Sequence, residues 1–256
     1  MLLAIDLGNS NLTCGLFVED RLAHTFRAET RLSRTTDEHA ILLRQLVTLH
    51  GVDASAVQGA ILASVVPQLT EVLQAATLQA FGVRPLLVGP GMKTGVPVHY
   101  DNPHDVGSDR IVNAVAAFEE VQGPVIVVDL GTGTTFDCIS PKGEYLGGAI
   151  APGLEVSLTA LMSRAAKLRP VEIAEPPGVV GRSTQHALQS GVVFGYAALI
   201  DGMVARIEAE LGYECTVIGT GGLAMLLAKH ARSIDRVDPE LTLKGLRVLF
   251  QRNSTR

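Results

Sequence analysis

The first apolar run, Leu2 to Ile5, stops at Asp6 and is followed by Gly8. So short a run, closed by an acid and a glycine, predicts a strand and then a turn. Leu12 to Val18 predicts a second strand, Glu19-Asp20 its turn, and Arg21 to Arg27 a third, so the chain opens as a meander. Leu42, Leu43, Leu46 and Leu49 recur at helical spacing and predict a helix from about Thr36 to Leu49. Gly59 to Ser64 reads as a buried strand. Gln68 to Phe81 reads as a helix with Leu69, Val72, Leu73 and Ala76 on one face, and Pro85 to Val88 as a short strand. The Gly- and Pro-rich stretch from Gly89 to Pro103 predicts a long loop, after which helix returns from about Asp105 to Val121.

Pro124 to Asp129 is the most strongly β-branched run and leads into Asp129-Leu130-Gly131-Thr132-Gly133. Strands are expected at Thr134 to Ser140 and Glu144 to Ala151, around a Pro141-Lys142-Gly143 turn. Beyond Gly153 the pattern is mostly helical, notably from Gln185 to Leu211. A last strand, Cys215 to Ile218, opens into Gly219-Thr220-Gly221-Gly222. Asp238-Pro239-Glu240 reads as an N-cap with proline at the first helical position, starting a helix that runs to about Phe250. Strands alternating with helices in this way predict an α/β fold with helices packed on sheet faces.

Composition narrows the function classes. A chain of 256 residues holds one large domain or two ordinary ones, and 47% hydrophobic with 18% charged residues excludes intrinsic disorder. The net charge is −5 and no Lys/Arg run exists, which argues against a nucleic-acid groove. Cys14, Cys138 and Cys215 are too far apart for metal-ligand spacing and read as reduced thiols of a cytoplasmic protein. The N-terminal apolar run is too short for a signal peptide, and the least charged stretch, Ser183 to Ile200, carries too many polar residues for a membrane span.

One internal repeat changes the picture. Ile5-Asp6-Leu7-Gly8-Asn9-Ser10-Asn11 returns, half a chain length later, as Val128-Asp129-Leu130-Gly131-Thr132-Gly133-Thr134. Each copy follows an apolar strand and precedes a second strand and a turn. Duplication of a three-strand unit is therefore expected, with halves at residues 1–117 and 118–256. A strand that ends in Asp and turns through Gly projects a carboxylate beside backbone N–H groups that can hold an anion. The carboxylate repels phosphate unless a cation lies between them, which implies Mg²⁺ or another cation. Two ordinary turns are the plain alternative, but both polar runs are longer than a turn needs. A P-loop is absent, since no Gly precedes Lys93, and Phe136 stands where the third glycine of a dinucleotide fingerprint is required.

These motifs resemble the actin, sugar kinase and Hsp70 superfamily, in which two such hairpins bind ATP phosphates and a late Gly-Thr-Gly-Gly meets the adenosine. More narrowly, the chain resembles the type III pantothenate kinases. The likeness runs in order through Asp6-Leu7-Gly8-Asn9-Ser10, Ser64-Val65-Val66-Pro67, Gly107-Ser108-Asp109-Arg110 and Asp129-Leu130-Gly131-Thr132. It continues through Gly147-Gly148-Ala149-Ile150-Ala151-Pro152-Gly153, Gly219-Thr220-Gly221-Gly222 and Leu241-Thr242-Leu243-Lys244-Gly245-Leu246. The resemblance implies two related ribonuclease H-like (actin-like ATPase) halves, each a mixed sheet flanked by helices, with the ligand cleft between them.

It also implies an activity: ATP-dependent phosphorylation of the primary hydroxyl of pantothenate, the first step of coenzyme A synthesis. Mg²⁺ and a monovalent cation, K⁺ or NH₄⁺, would be needed by a homodimer with a shared active site. By position, Asp6, Leu7, Gly8, Asn9, Ser10, Asn11, Leu12 and Thr13 would hold phosphates, with Asp6 meeting Mg²⁺ through water. Gly131, Thr132, Gly219, Gly221 and Gly222 would contact ATP, and Asp129 the monovalent cation. Tyr100, Gly107, Ser108, Asp109 and Arg110 would contact pantothenate, with Asp109 the general base, and Thr184 would reach the pantothenate of the partner subunit. Three positions depart from the family pattern: Ser10 replaces the usual Thr, and Ser108 and Gly133 replace the usual Ala. Ser108 is expected to add a polar group beside the base and Gly133 to loosen the second hairpin. A kinase of the same fold with another small hydroxyl or carboxylate acceptor, or a catalytically silent regulatory homologue, are the competing readings.

Overall fold

The computed structural model describes residues 1–165 and 168–254. Its contacts divide the chain into two compact units. Unit 1 takes Met1–Pro97, Asp101–Ala116 and the C-terminal segment from Leu241 onward; unit 2 takes Val98–Tyr100 and Ala117–Glu240.

In unit 1, β1 (Leu2–Leu7), β2 (Asn11–Val18) and β3 (Arg21–Glu29) form an antiparallel meander. β4 (Gly59–Ser64) runs parallel to β1, and β5 (Leu86–Leu87) parallel to β4, giving the order β3-β2-β1-β4-β5. Helix α1 (Thr36–Leu49) starts from a capping box, in which the Thr35 hydroxyl accepts from the Glu38 N–H and the Glu38 carboxylate accepts from the Thr35 N–H. Helix α2 (Pro67–Phe81) has proline at its first turn, where no N–H is missed. Leu43 and Val47 of α1 and Leu69 and Leu73 of α2 pack with Leu3, Ile5, Leu7, Leu12 and Leu62 as one apolar core. Both faces of β1 are buried because helix α7 (Leu241–Ser254) covers the other side. Leu243 of α7 lies against Gly15, and Phe250 against Gly59, so the small residues in β2 and β4 make room for it.

In unit 2, β6 (Val125–Leu130), β7 (Gly133–Ile139) and β8 (Tyr145–Pro152) repeat the meander. β9 (Thr216–Thr220) is parallel to β6 and β10 (Arg236–Val237) to β9, giving β10-β9-β6-β7-β8. The two sheets therefore share one connectivity, as the repeated hairpin motif implied. Helices α4 (Leu154–Arg164), α5 (Thr184–Leu211) and α6 (Ala224–Leu227) belong to this unit. Val193, Ala197, Ile200 and Val204 of α5 recur at three- and four-residue intervals and pack on Ile126, Val128 and Val217 of the sheet.

Three expectations change. Helix α3 (Ser108–Val121) starts three residues later than Asp105, because Pro103–Asp105 closes a separate 3₁₀ turn capped by Asn102. The Asp238 carboxylate accepts from the Glu240 N–H two residues on, while the helix itself begins at Leu241, later than expected, and runs past Phe250. A division into residues 1–117 and 118–256 assigns α7 to the second half, whereas α7 packs on β1, β2 and β4 of the first.

Candidate active site

In unit 1 the β1–β2 register pairs Asp6 with Thr13 and Leu7 with Leu12, leaving Gly8 to Asn11 as the turn. The Gly8 N–H donates to the Asn11 carbonyl at 2.9 Å. β3 braces the turn from one side: the Thr30 hydroxyl donates to the Gly8 carbonyl at 2.7 Å and the Thr30 N–H to the Ser10 carbonyl at 3.0 Å. Asn9, Ser10 and Asn11 are exposed, and Asp6 is half-buried at the end of its strand. Leu7 and Leu12 differ from the expected phosphate contacts. Their side chains are core, at 0% and 1% exposure, so only their backbones remain available to a ligand.

β4 ends beside this turn, with Ala63 paired to Asp6 and Ser64 to Leu7. Here the sequence departure at Ser108 finds its role. The Ser64 N–H donates to the Ser108 hydroxyl at 3.1 Å, and that hydroxyl donates to the Ser64 carbonyl at 3.1 Å. The first turn of α3 is thereby tied to the end of β4, on the same sheet edge as Asp6. Asp109 follows immediately. Its carboxylate accepts from the Arg110 N–H at 2.8 Å and folds back over Gly107, where a Cβ would stand only 2.5 Å from the carboxylate oxygen. Burial pushes the Asp109 carboxyl above the ordinary carboxylate range, against the opposing pull of the Arg110 N–H and guanidinium. Arg110 itself is 7% exposed.

Unit 2 holds the second set. Asp129 pairs with Thr135 on β7 and with Thr220 on β9. The Gly133 carbonyl accepts from the Gly131 N–H at 3.0 Å, and the Gly153 N–H, at the start of α4, donates to the Thr132 carbonyl at 3.1 Å. The loop after β9 closes on the carboxylate from the other side. Gly221 has φ +90°, and a Cβ there would lie 2.6 Å from the Asp129 Oδ1 and 2.7 Å from the Leu130 backbone. Only glycine fits. Gly222 is exposed in the same loop, and Gly219 is buried inside β9 against Ile234.

Tyr100 is half-exposed and is carried by a short strap, Val98–Tyr100, that belongs to unit 2. Val98 bridges to Tyr145 of β8, the His99 N–H donates to the Tyr145 carbonyl at 2.8 Å, and the Tyr100 ring centroid is 6.4 Å from that of Tyr145. Thr184 is exposed in the first turn of α5, whose N-cap Ser183 accepts from the His186 N–H. Among the described residues no three His, Cys, Asp or Glu side chains cluster as a metal cage. The carboxylates of Asp6 and Asp129 supply the hard oxygen donors that suit a cation partly held by phosphate, which is how Mg²⁺ is usually bound. Sequence reading missed Thr30, Ser64 and Gly153. Ser64 and Gly153 lie in quoted motifs, while Thr30 carried no signal.

Comparison with known proteins places this geometry. The family model of type III pantothenate kinase matches residues 2–206. A protein of Myxococcus xanthus named type III pantothenate kinase is 52% identical over 253 residues, covering 99% of each chain. A solved structure from Campylobacter jejuni, described as belonging to the Baf family of transcriptional activators, is 21% identical, with a TM-score of 0.61 over 99% of this chain and 100% of that one. The ROK hexokinase of Thermus thermophilus is 15% identical, with a TM-score of 0.52 over 97% of both chains. The two structures show a fold that this chain shares with them.

Proposed function

The chain belongs to the type III pantothenate kinase family, and from that premise we propose how it transfers the γ-phosphoryl group of ATP to the primary hydroxyl of pantothenate, the first step of coenzyme A synthesis. The reading is carried by one observation: the Asp109 carboxylate is held on the sheet edge that also carries Asp6, with its affinity for protons raised by burial. A base whose pKa is lifted toward working pH accepts a proton more effectively than an ordinary carboxylate. Asp109 takes the hydroxyl proton of pantothenate as its oxygen bonds to the γ-phosphorus, and the bond from that phosphorus to the β,γ-bridging oxygen breaks, releasing ADP.

Most of the remaining work is positioning and charge neutralisation. The exposed turn Gly8 to Asn11, with Asp6 and Thr13, receives phosphate oxygens. Mg²⁺, when bound, neutralises phosphate charge during transfer. In unit 2, Gly131, Thr132, Gly221 and Gly222 contact ATP, and Asp129 takes the monovalent cation, K⁺ or NH₄⁺. Arg110 offers its guanidinium fork to the carboxylate of pantothenate, and Tyr100 and Gly107 contact the same substrate. A homodimer is supported by α5, which is long and apolar, yet only 33% of its most apolar window is buried. α5 packs on the sheet of unit 2 and on α4, and its exposed positions, Ala187, Gly191, Gly195, Ala198 and Gly202 among them, are offered to a second copy, with Thr184 reaching the partner's pantothenate. Three free cysteines fit the reducing cytoplasm.

The test is ATP consumption by the purified protein with pantothenate, in K⁺ and with K⁺ replaced by Na⁺. Pantothenate-dependent turnover that falls in Na⁺ is expected. Turnover indifferent to the cation removes the role of Asp129, and absence of pantothenate-dependent turnover in any cation leaves the silent-homologue reading.

A further inference from the structure

Asp137, on β7, is a fully buried carboxylate that the reaction above does not use. Its Oδ1 accepts from the Tyr145 hydroxyl at 2.7 Å, and its Oδ2 from the Thr135 hydroxyl at 2.9 Å. Tyr145 is also fully buried. Burying a carboxylate is costly, and fixed hydroxyl donors offset only part of that cost. The fold does not require it. The first sheet has the same connectivity, and the two registers identify the equivalent positions. Asp129 pairs with Thr135 as Asp6 pairs with Thr13, so Asp137 corresponds to Gly15. Ile139 pairs with Tyr145 as Phe17 pairs with Leu22, and both strands carry a register irregularity at this point. The first sheet thus fills the same place with Gly15 and Leu22, covered by Leu243.

The phenol of this pair belongs to the residue that carries the Tyr100 strap. Tyr145 carries the Val98–Tyr100 strap on its backbone, its ring lies beside the Tyr100 ring, and Tyr100 covers Gly147, where a Cβ would meet the ring at 3.2 Å. The Thr135 hydroxyl holds the carboxylate and the carboxylate holds the Tyr145 phenol, which fixes the Tyr145 ring beside the tilted Tyr100 ring. We propose that Asp137 is a positioning residue for the phosphorylation of pantothenate, acting through Tyr145 to set the Tyr100 side chain that contacts that substrate. The proposal rests on the reading of Tyr100 as a pantothenate contact.

A double-mutant cycle tests it, with KM for pantothenate measured at saturating ATP. Tyr100→Ala should raise that KM about tenfold or more. Tyr145→Phe keeps the ring and removes one donor; it should raise KM about three- to tenfold with kcat within about twofold. Tyr100→Ala/Tyr145→Phe should be no worse than Tyr100→Ala alone, because the phenol acts through the missing ring. Asp137→Asn, which keeps an acceptor for Tyr145, should change KM less than Tyr145→Phe and serves where that variant fails to fold. A purely structural pair predicts a lowered Tm and active fraction with KM unchanged in Tyr145→Phe, and that result overturns the proposal. Multiplicative effects in the double variant overturn it as well. An unchanged KM in Tyr100→Ala instead removes the reading of Tyr100 on which the proposal stands, and the two failures are told apart by that single variant.

Discussion

The two hairpins that begin the two sheets have one topology and opposite surroundings. In unit 1, Gly8 to Asn11 is braced by Thr30 on one side and leaves three polar residues exposed. A Cβ at Gly8 would meet one backbone oxygen at 3.2 Å, a tight contact that a shift of a few tenths of an ångström would relieve. In unit 2, the Asp129 to Gly133 hairpin is bonded by the start of α4 and closed over by Gly221, with no room for a methyl group. Duplication of a β-β-β unit thus gave one turn open enough to wrap a ligand and one enclosed enough to hold a carboxylate in a single place. The chemistry proposed above follows the same divide, since the raised carboxyl of Asp109 lies in unit 1.

The comparison breaks most directly at that carboxylate. Asp109→Asn should lower kcat by about two to four orders of magnitude, the range expected for loss of a general base, with little change in KM for ATP. Steady-state kinetics check this. Turnover near the wild-type value would remove chemistry from unit 1 and leave it only a binding role.

The contrast between the hairpins themselves is sharpened by a matched pair of alanines. Gly221→Ala imposes a side chain at φ +90° and drives it into the Asp129 carboxylate and the Leu130 backbone. A displacement of about 1 Å there should cost on the order of 10²-fold in kcat/KM for ATP. Gly8→Ala needs the Asn11 carbonyl to give by only a few tenths of an ångström, and should cost about threefold or less. Equal losses in the two variants would show that the hairpins are equally constrained.

What the sequence made legible was local. The strand that carries Asp6, the leucine spacing of α1 and the β-branched run of β6 each announce themselves within a few residues. The repeated hairpin even disclosed that the two sheets are related. What it hid depends on partners far along the chain. Nothing near Leu241 says that α7 returns to cover β1, because Gly15 and Gly59 make its seat only once they are folded. The hydroxyl of Ser108 reads as an added polar group, and only the proximity of Ser64 turns it into a tie. Nothing in the sequence around Asp137 announces its burial, since its hydroxyl donors include Thr135 two residues away and Tyr145 on the next strand. Leu7 and Leu12 are the opposite case: a motif records which segment matters, while strand register decides which of its side chains face inward and which residues offer only their backbone.

The smallest expected effect concerns stability, and it again separates Asp109 from an ordinary surface acid. Its folded-state pKa is raised above the unfolded value, chiefly by burial. Between those two values the folded chain binds the proton that the unfolded chain has lost, so stability falls as pH rises through that window and stays reduced above it. Asn carries no charge to desolvate and keeps an acceptor oxygen for the Arg110 N–H. Asp109→Asn should therefore raise the Tm of unit 1 at about pH 8, by roughly 2–4 °C for each kcal/mol recovered. The gain should shrink as pH is lowered and vanish near or below about pH 4, where the wild-type carboxyl is protonated in both states. Calorimetry at two pH values reads the difference. A Tm that falls at pH 8 would mean that the Arg110 contacts outweigh desolvation, and that the carboxylate is held for its charge rather than strained by its burial.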